Sequence, residues 1–285
     1  MLVAVTVVWG LTFSLVKESL SEISPFVFMA FRFWLAFLLV GLFCVGRMRK
    51  VDRGLMKAGA VLGLFLFAAY AFQTFGLKYT SAGNAGFITG LFIVFVPVLS
   101  ALMLRQRPDL ASTTAIIVAV IGLGFLSLQN GLQVNGGDLL VLACAFSLSL
   151  HIIYMDRYVK VYDLMLLTLL QMGILAVGNS AAGLIFEGFT WPGGALVWTT
   201  IIVCGVFASA VAFYVQGYAQ RVLTPIRTSM VLIMEPVFSV FFGIVLLGET
   251  LTWRVWLGCG LILSGMLLTE IVPFLGRDKN PTQTA

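Results

Sequence analysis

Glu235 and Arg32 stand inside stretches of apolar residues long enough to cross a bilayer. A charged side chain at the centre of such a stretch costs roughly 2.5–3.5 kcal/mol on insertion scales, so those present face a cavity or a partner. Glu235 is followed by Pro236 in "SMVLIMEPVFSVFFGIVLLGE", residues 229–249. Proline removes a backbone donor and clashes with the preceding turn, so a kink is expected there, as at Pro97. Two kinds of chemistry fit Glu235. It titrates, exchanging a proton as a site opens to each side, or it is a neutral acid bonded to the backbone groups Pro236 leaves unpaired. Arg32 likewise either lines a cavity, snorkels to an interface, or hydrogen-bonds free carbonyls.

The other polar groups at comparable depth are Gln73 and Gln216, with Tyr70, Tyr214 and Tyr218 on the same two stretches, then His151, Tyr154 and Gln171, and Trp9 at mid-depth. His151 is the single histidine and has no Cys, Asp or His at metal spacing, so no metal is expected. The four cysteines, Cys44, Cys144, Cys204 and Cys259, fall inside apolar stretches without a CxxC pattern and read as small buried hydrophobes. P-loop, GxSxG and HExxH motifs are missing, and no polar segment is long enough to hold a nucleotide-hydrolysing domain. No cofactor is expected.

The elements that must position these groups follow from composition. The 285 residues are 60% hydrophobic and 10% charged, with a mean hydropathy of +1.06, against about 25% charged for soluble domains. Ten apolar runs fall at 2–17, 26–46, 58–77, 86–104, 113–129, 138–155, 164–186, 195–217, 228–247 and 255–274. Each matches the ~20 residues a helix needs to cross ~30 Å of hydrocarbon. The expected fold class is an all-α integral membrane protein. Residues 2–16 are apolar at once, without the basic flank of a cleavable signal peptide.

The gaps after runs 2, 4, 6 and 8 and the tail hold 13 Lys and Arg, while the opposite gaps hold 3. The positive-inside bias therefore puts both termini in the cytoplasm, at the inner membrane. It also accounts for the pI near 9.2 without a nucleic-acid partner, since the basic residues form no single face. A shift of 143 residues brings Gln73 onto Gln216, Lys78 onto Arg221, Ser81 onto Thr224, Gln106 onto Glu249 and Gly122 onto Gly265. Halves of 1–137 and 138–285 follow, each with five runs. Five is odd, so the second copy enters the membrane inverted, and a binding site is expected between the halves near the midplane. Pro97 and Pro236 are out of this frame, at an offset of 139, which predicts that the two halves bend at different depths.

"VVWGLTFSLVK", "MAFRFWLAFLLV", "LKYTSAGNAGFITGLFIVFVPVLSALMLRQRP" and "LIMEPVFSVFFGIVLLGETLTWRVWLGCGLILSGMLL" together resemble the EamA-type branch of the drug/metabolite transporter superfamily. The likeness spans nearly the whole chain. It implies ten transmembrane helices as two inverted five-helix repeats, cytoplasmic termini, and export or exchange of small metabolites. The first half departs from the pattern by ending in "RQRP" where the second has "GE".

The function expected is a secondary transporter of small neutral or zwitterionic solutes, with the bilayer, the solute and coupling protons as partners, acting as monomer or homodimer. Phosphorylated solutes would want two or more buried cations, and only Arg32 is available. The alternative is a membrane-embedded enzyme acting on a lipid or isoprenoid. The gaps on the basic side offer it only Asp52, Asp109, Asp156 and Asp163 as acids, in no recognisable cluster.

Overall fold

A computed structural model describes residues 1–76, 79–80, 82–127, 135–188, 190–247 and 252–277, without the side chains at 13–14, 17, 82–84, 127, 247 and 270–277. Lys78, Ser81 and Glu249, three positions matched by the 143-residue shift, lie outside the described set, as does the tail from 278.

Among the described residues every element of secondary structure is a helix. The α-helices are α1 (Leu2–Ser19), α2 (Pro25–Cys44), α3 (Arg53–Gly76), α4 (Ala82–Gly90), α5 (Phe92–Leu99), α6 (Leu110–Ser127), α7 (Gly136–Tyr158), α8 (Leu164–Phe186), α9 (Ala195–Gly205), α10 (Ala212–Ala219), α11 (Pro225–Leu232), α12 (Glu235–Leu247) and α13 (Trp253–Arg277). A 3₁₀ turn extends α2 over Val45–Lys50, and π turns occupy Ser100–Leu104 and Val206–Val211. Among the described residues seven stretches are long and apolar enough to cross a membrane: Pro25–Lys50, Arg53–Gly76, Ala85–Leu104, Gly136–Tyr158, Leu164–Phe186, Ala195–Ala219 and Pro225–Leu246. Leu2–Thr12, Leu110–Leu126 and Trp253–Thr269 are shorter apolar helices.

Helix starts carry the local chemistry that turns of this kind require. Asn135 accepts from Gly137 N and Asp138 N while Asp138 accepts from Asn135 N, a reciprocal cap on α7. Thr80 hydrogen-bonds the same Asp138. Asp163 caps α8 through Met165 N at 2.9 Å, and Asp109 caps α6 through Ser112 N at 2.7 Å. That backbone donor holds the Asp109 carboxyl below the usual carboxylate range. Pro25 opens α2, where Ser24 makes no side-chain cap. Glu187 at the end of α8 takes over instead, accepting from Phe26 N at 2.8 Å. At the basic end Arg47 pairs with Asp163 at 2.7 Å and ties the end of α2 to the start of α8.

α2 packs on α8 and α6 on α13. α3 lies against α7 and α8, as α9 lies against α1 and α2. α1 contacts α11 and α12, as α7 contacts α4 and α5. Exchanging the first five runs with the last five maps these pairs onto one another. One buried cluster joins Phe33, Leu62, Leu66, Leu167, Met172 and Phe213, and another joins Val5, Ile93, Leu123, Ile153, Met230 and Ile262. The closest pairing is α6 with α13. A Cβ on Gly122 would lie 2.8 Å from Gly258 O, and one on Gly258 2.7 Å from Gly122 O. Only glycine lets the two backbones touch in this way.

The structure corrects the expectation about bending depth. The fourth run breaks at Leu91, between α4 and α5, and the ninth at Ile233–Met234, between α11 and α12. Leu91 N bonds Ile88 O at 3.1 Å, while Val94 N and Phe95 N both bond Leu91 O. Met234 N bonds Val231 O at 3.1 Å, while Val237 N and Phe238 N both bond Met234 O. Every partner in the second set is 143 residues after its counterpart, so the two interruptions stand at the offset seen in the sequence rather than at that of the prolines. The prolines misled because each is accommodated differently. Pro236 sits in the first turn of α12, where a missing N–H costs least. Pro97 lies inside α5, and a π turn follows from Ser100.

Candidate functional site

Helix α12 begins at Glu235, and so does partial exposure. From Pro225 to Met234 every residue but Arg227 is buried, and from Glu235 to Val240 every residue is half-buried. The interruption thus separates a buried half-helix from a partly exposed one, with the carboxylate as the first partly exposed residue. No described side chain hydrogen-bonds or ion-pairs with it. α1 closes the near side: a Cβ on Gly10 would lie 2.6 Å from Phe238 Cβ and 2.7 Å from Ser239 N.

Arg32 is buried, at 6% exposure. Its Nε donates to Ser209 Oγ at 2.8 Å and its Nη2 to Ala208 O at 3.3 Å. Trp9 Nε1 donates to the same carbonyl at 2.8 Å. Ala208 O is available because of the π turn. Ala212 N, which would take it in an α-helix, bonds Phe207 O and Ser209 O instead. The guanidinium carbon lies 5.2 Å from the Phe33 ring centre and 5.8 Å from that of Tyr70. Arg32 and Tyr70, from α2 and α3, are thus brought together beside the π turn.

Phe213 extends this group. Its ring centre is 5.6 Å from that of Trp9 and 5.9 Å from that of His151, edge to face. His151 Nε2 pairs with Gln171 Oε1 at 3.0 Å, and Gln171 Nε2 is buried without a partner among the described residues. Trp9, Arg32, His151 and Gln171 are thus joined through Phe213 on α10 and the π turn before it, while no described side-chain contact links Glu235 to them.

The remaining sequence candidates lie in other places. Gln73 Nε2 donates to Thr89 Oγ1 at 3.3 Å on α4. Gln216 Nε2 reaches Gln220 Oε1 at 3.3 Å, and Gln220 Nε2 donates to Ile152 O at 2.8 Å. Repeat-related in sequence, the two glutamines serve separate networks. Tyr214 packs against the Phe33 cluster on the side where its phenol acts on Arg47. Tyr218 is exposed. Tyr154 stacks between Phe65 and Tyr158. Ser209 and Phe213 were missed: a serine in "VFASAVAF" carries no signal of the π turn that makes it useful. Among the described residues no three His, Cys, Asp or Glu side chains gather as metal ligands.

Known proteins match this arrangement along its length. The model of the EamA-like transporter family covers residues 1–128 and 135–271. An uncharacterized transporter of Archaeoglobus fulgidus is 30% identical over 270 residues, 95% of this chain and 84% of its own. The uncharacterized transporter YcxC of Bacillus subtilis is 27% identical, covering 92% of this chain and 89% of its own. A solved crystal structure at 18% identity overlays 98% of both chains with a TM-score of 0.81, which fixes the fold alone. None of these relatives supports the lipid-enzyme alternative. The chain belongs to the EamA-like transporter family, whose members are multi-pass membrane proteins.

Proposed function

We propose that this transporter is a gradient-driven or exchange exporter of small neutral or zwitterionic metabolites, such as amino acids or amphipathic compounds, at the cytoplasmic membrane. Its helices form two inverted five-helix repeats, residues 1–137 and 138–285, with both termini cytoplasmic. The seven longer apolar stretches and the three shorter ones make up the ten crossings. Support for the repeat comes from the interruptions at Leu91 and Met234, whose hydrogen bonds recur at one offset, and from the break at 129–134 between the matched segments.

The observation that carries the reading is Glu235, a half-buried carboxylate at the start of a half-helix inside a membrane-crossing stretch. Such a place binds a solute amine or a proton, and the half-helix break supplies the bend between states. The single buried cation favours a solute with at most one anionic group.

A thermal-shift screen of the purified protein against amino acids, nucleosides, sugars and amphipathic drugs identifies the solute, and flux into vesicles measures its transport. Glu235→Gln keeps shape and hydrogen bonding while removing titration. The variant is expected to insert and fold, to lose pH-driven uphill transport, and to keep exchange. Uphill transport with unchanged pH dependence would reduce Glu235 to a cap for the backbone beside Pro236. A reporter fused to the C-terminus is expected to be active only on the cytoplasmic side.

A further inference from the structure

α2 is 20 residues long, about what a helix needs to cross the hydrocarbon. The 3₁₀ turn at Val45–Lys50 therefore emerges at the level of the lipid headgroups, and every residue in it is exposed. Leu38, Leu42 and Val45 are exposed and spaced four and three residues apart, so they form one apolar line along α2. Side chains three apart eclipse one another in a 3₁₀ helix, so the exposed Met48 continues that line. The same winding sets Arg47 with Lys50 on one flank of the line and Arg49 with Gly46 on the other. An apolar line between two cationic flanks suits a segment lying in a membrane interface.

Most of these charges are not spent inside the protein. Residues 47–57 hold five Lys and Arg against a single acid, Asp52. Asp52 Oδ1 accepts from Leu55 N at 2.7 Å, and Arg47 pairs with Asp163 at 2.7 Å. Among the described residues Arg49, Lys50, Arg53 and Lys57 make no ion pair. Arg53 and Lys57 stand one turn apart on α3, with the exposed Met56 beside them.

We propose that the turn between α2 and α3 is a docking surface for an anionic phospholipid. The headgroup phosphate takes Arg49 and Lys50, and Arg53 and Lys57 add to the positive field around it. The acyl chains lie along Leu38, Leu42, Val45 and Met48. A lipid suits this surface better than a soluble anion because the cations border an apolar line that continues down the helix. Arg47 stays with Asp163, so the headgroup seats beside the ion pair that joins α2 to α8. The inference depends neither on the solute carried nor on the side of the membrane this end faces.

The purified full chain in a neutral detergent is titrated with short-chain phosphatidylglycerol and, separately, with phosphatidylcholine of the same chains. Native mass spectrometry counts the lipids retained. Wild type is expected to prefer the anionic lipid and to lose that preference as salt is raised. Arg49→Gln with Lys50→Gln is expected to weaken phosphatidylglycerol binding about fivefold for each cation removed and to leave phosphatidylcholine binding unchanged. Arg105→Gln with Arg107→Gln removes the same charge from exposed residues of another turn and is expected to keep the wild-type preference. Equal losses in the two double variants overturn the proposal, because net charge alone would then set the affinity. A wild type without the preference, or with one that salt does not reduce, overturns it without recourse to any variant. Two soluble probes test the occupant. Glycerol phosphate that competes at matched concentration overturns the lipid assignment in favour of a free phosphate ester. A polyglutamate peptide that displaces phosphatidylglycerol from wild type, and does not bind the Arg49 and Lys50 double variant, overturns it in favour of an acidic protein.

Discussion

Ala208 O is served by two donors from different helices, which makes it a place where single and double substitutions must disagree. Trp9→Phe removes the 2.8 Å indole bond and keeps an aromatic ring against Phe213. Hydrogen bonds within membrane proteins average about 0.6 kcal/mol and reach about 1.7, so a loss of about 1 kcal/mol is expected. Arg32→Met removes the contacts at 2.8 and 3.3 Å, about 1.5–3 kcal/mol for hydrogen bonds to a charge. Relief of the buried cation's desolvation offsets much of that. In either single variant the carbonyl keeps one donor. In the double variant it loses both side-chain donors, and an under-paired carbonyl in an apolar interior costs up to about 1–3 kcal/mol more. The double variant is therefore expected to lose at least about 1 kcal/mol beyond the sum of the singles. Equilibrium unfolding of the full chain in mixed micelles, titrated with SDS and followed by circular dichroism, measures all four proteins. Additivity within about 0.5 kcal/mol would falsify the shared-carbonyl arrangement.

Two further outcomes test packing and capping. Gly122→Ala places a methyl 2.7–2.9 Å from Leu261 Cβ, Gly258 O and Ile262 N, and is expected to cost about 1–3 kcal/mol by overpacking. Gly260→Ala meets nothing within 4 Å and is expected to stabilise by up to about 1 kcal/mol through helix propensity. Thermal melts that show the same sign for both would remove the close α6–α13 contact. Asp109 is held ionised by the Ser112 backbone, its carboxyl below the usual range. Its contribution is thus present above the ordinary carboxylate value of about 3.9 and lost as pH falls below it. Asp109→Ala is expected to lower the melting temperature at pH 7 and to narrow its difference from wild type at pH 3, because the unfolded chain then binds a proton at Asp109 that folding must release; a constant difference would discard the cap.

Seven of the apolar runs read from sequence fall on described helices long and apolar enough to cross a membrane and three on shorter apolar helices, since apolar patterning is dictated locally. The charges were legible for the same reason: Arg32 and Glu235 are costly wherever they point. What they point at was not legible. Arg32 finds its acceptors 176 and 177 residues away, on a π turn whose sequence "VFASAV" reads as ordinary helix. Gln73 and Gln216 matched in register but not in surroundings, because the residues that accept their hydrogen bonds, Thr89 and Gln220, are not repeat-equivalent. The prolines drew attention to the right helices for an incomplete reason. The interruption at Leu91 has no proline in its own turn, and backbone geometry there is set by packing against neighbouring helices rather than by one residue type.

The contact of Gly10 with the backbone at Phe238 and Ser239 has a mechanical meaning. Two helices that meet backbone to backbone, without side chains between them to slide or re-rotamer, travel as one body. Trp9 and Glu235 ride on that body together, a residue before the contact on one side and three on the other. The Trp9–Ala208 bond then acts as a tether from this body to the bulged helix. A stroke that swings α12 away from α2 must either part that tether or drag the bulge along with it. The carbonyl that anchors Arg32 is in this sense also the strain gauge of the movement: it feels displacement of the acidic side while gripping the basic one.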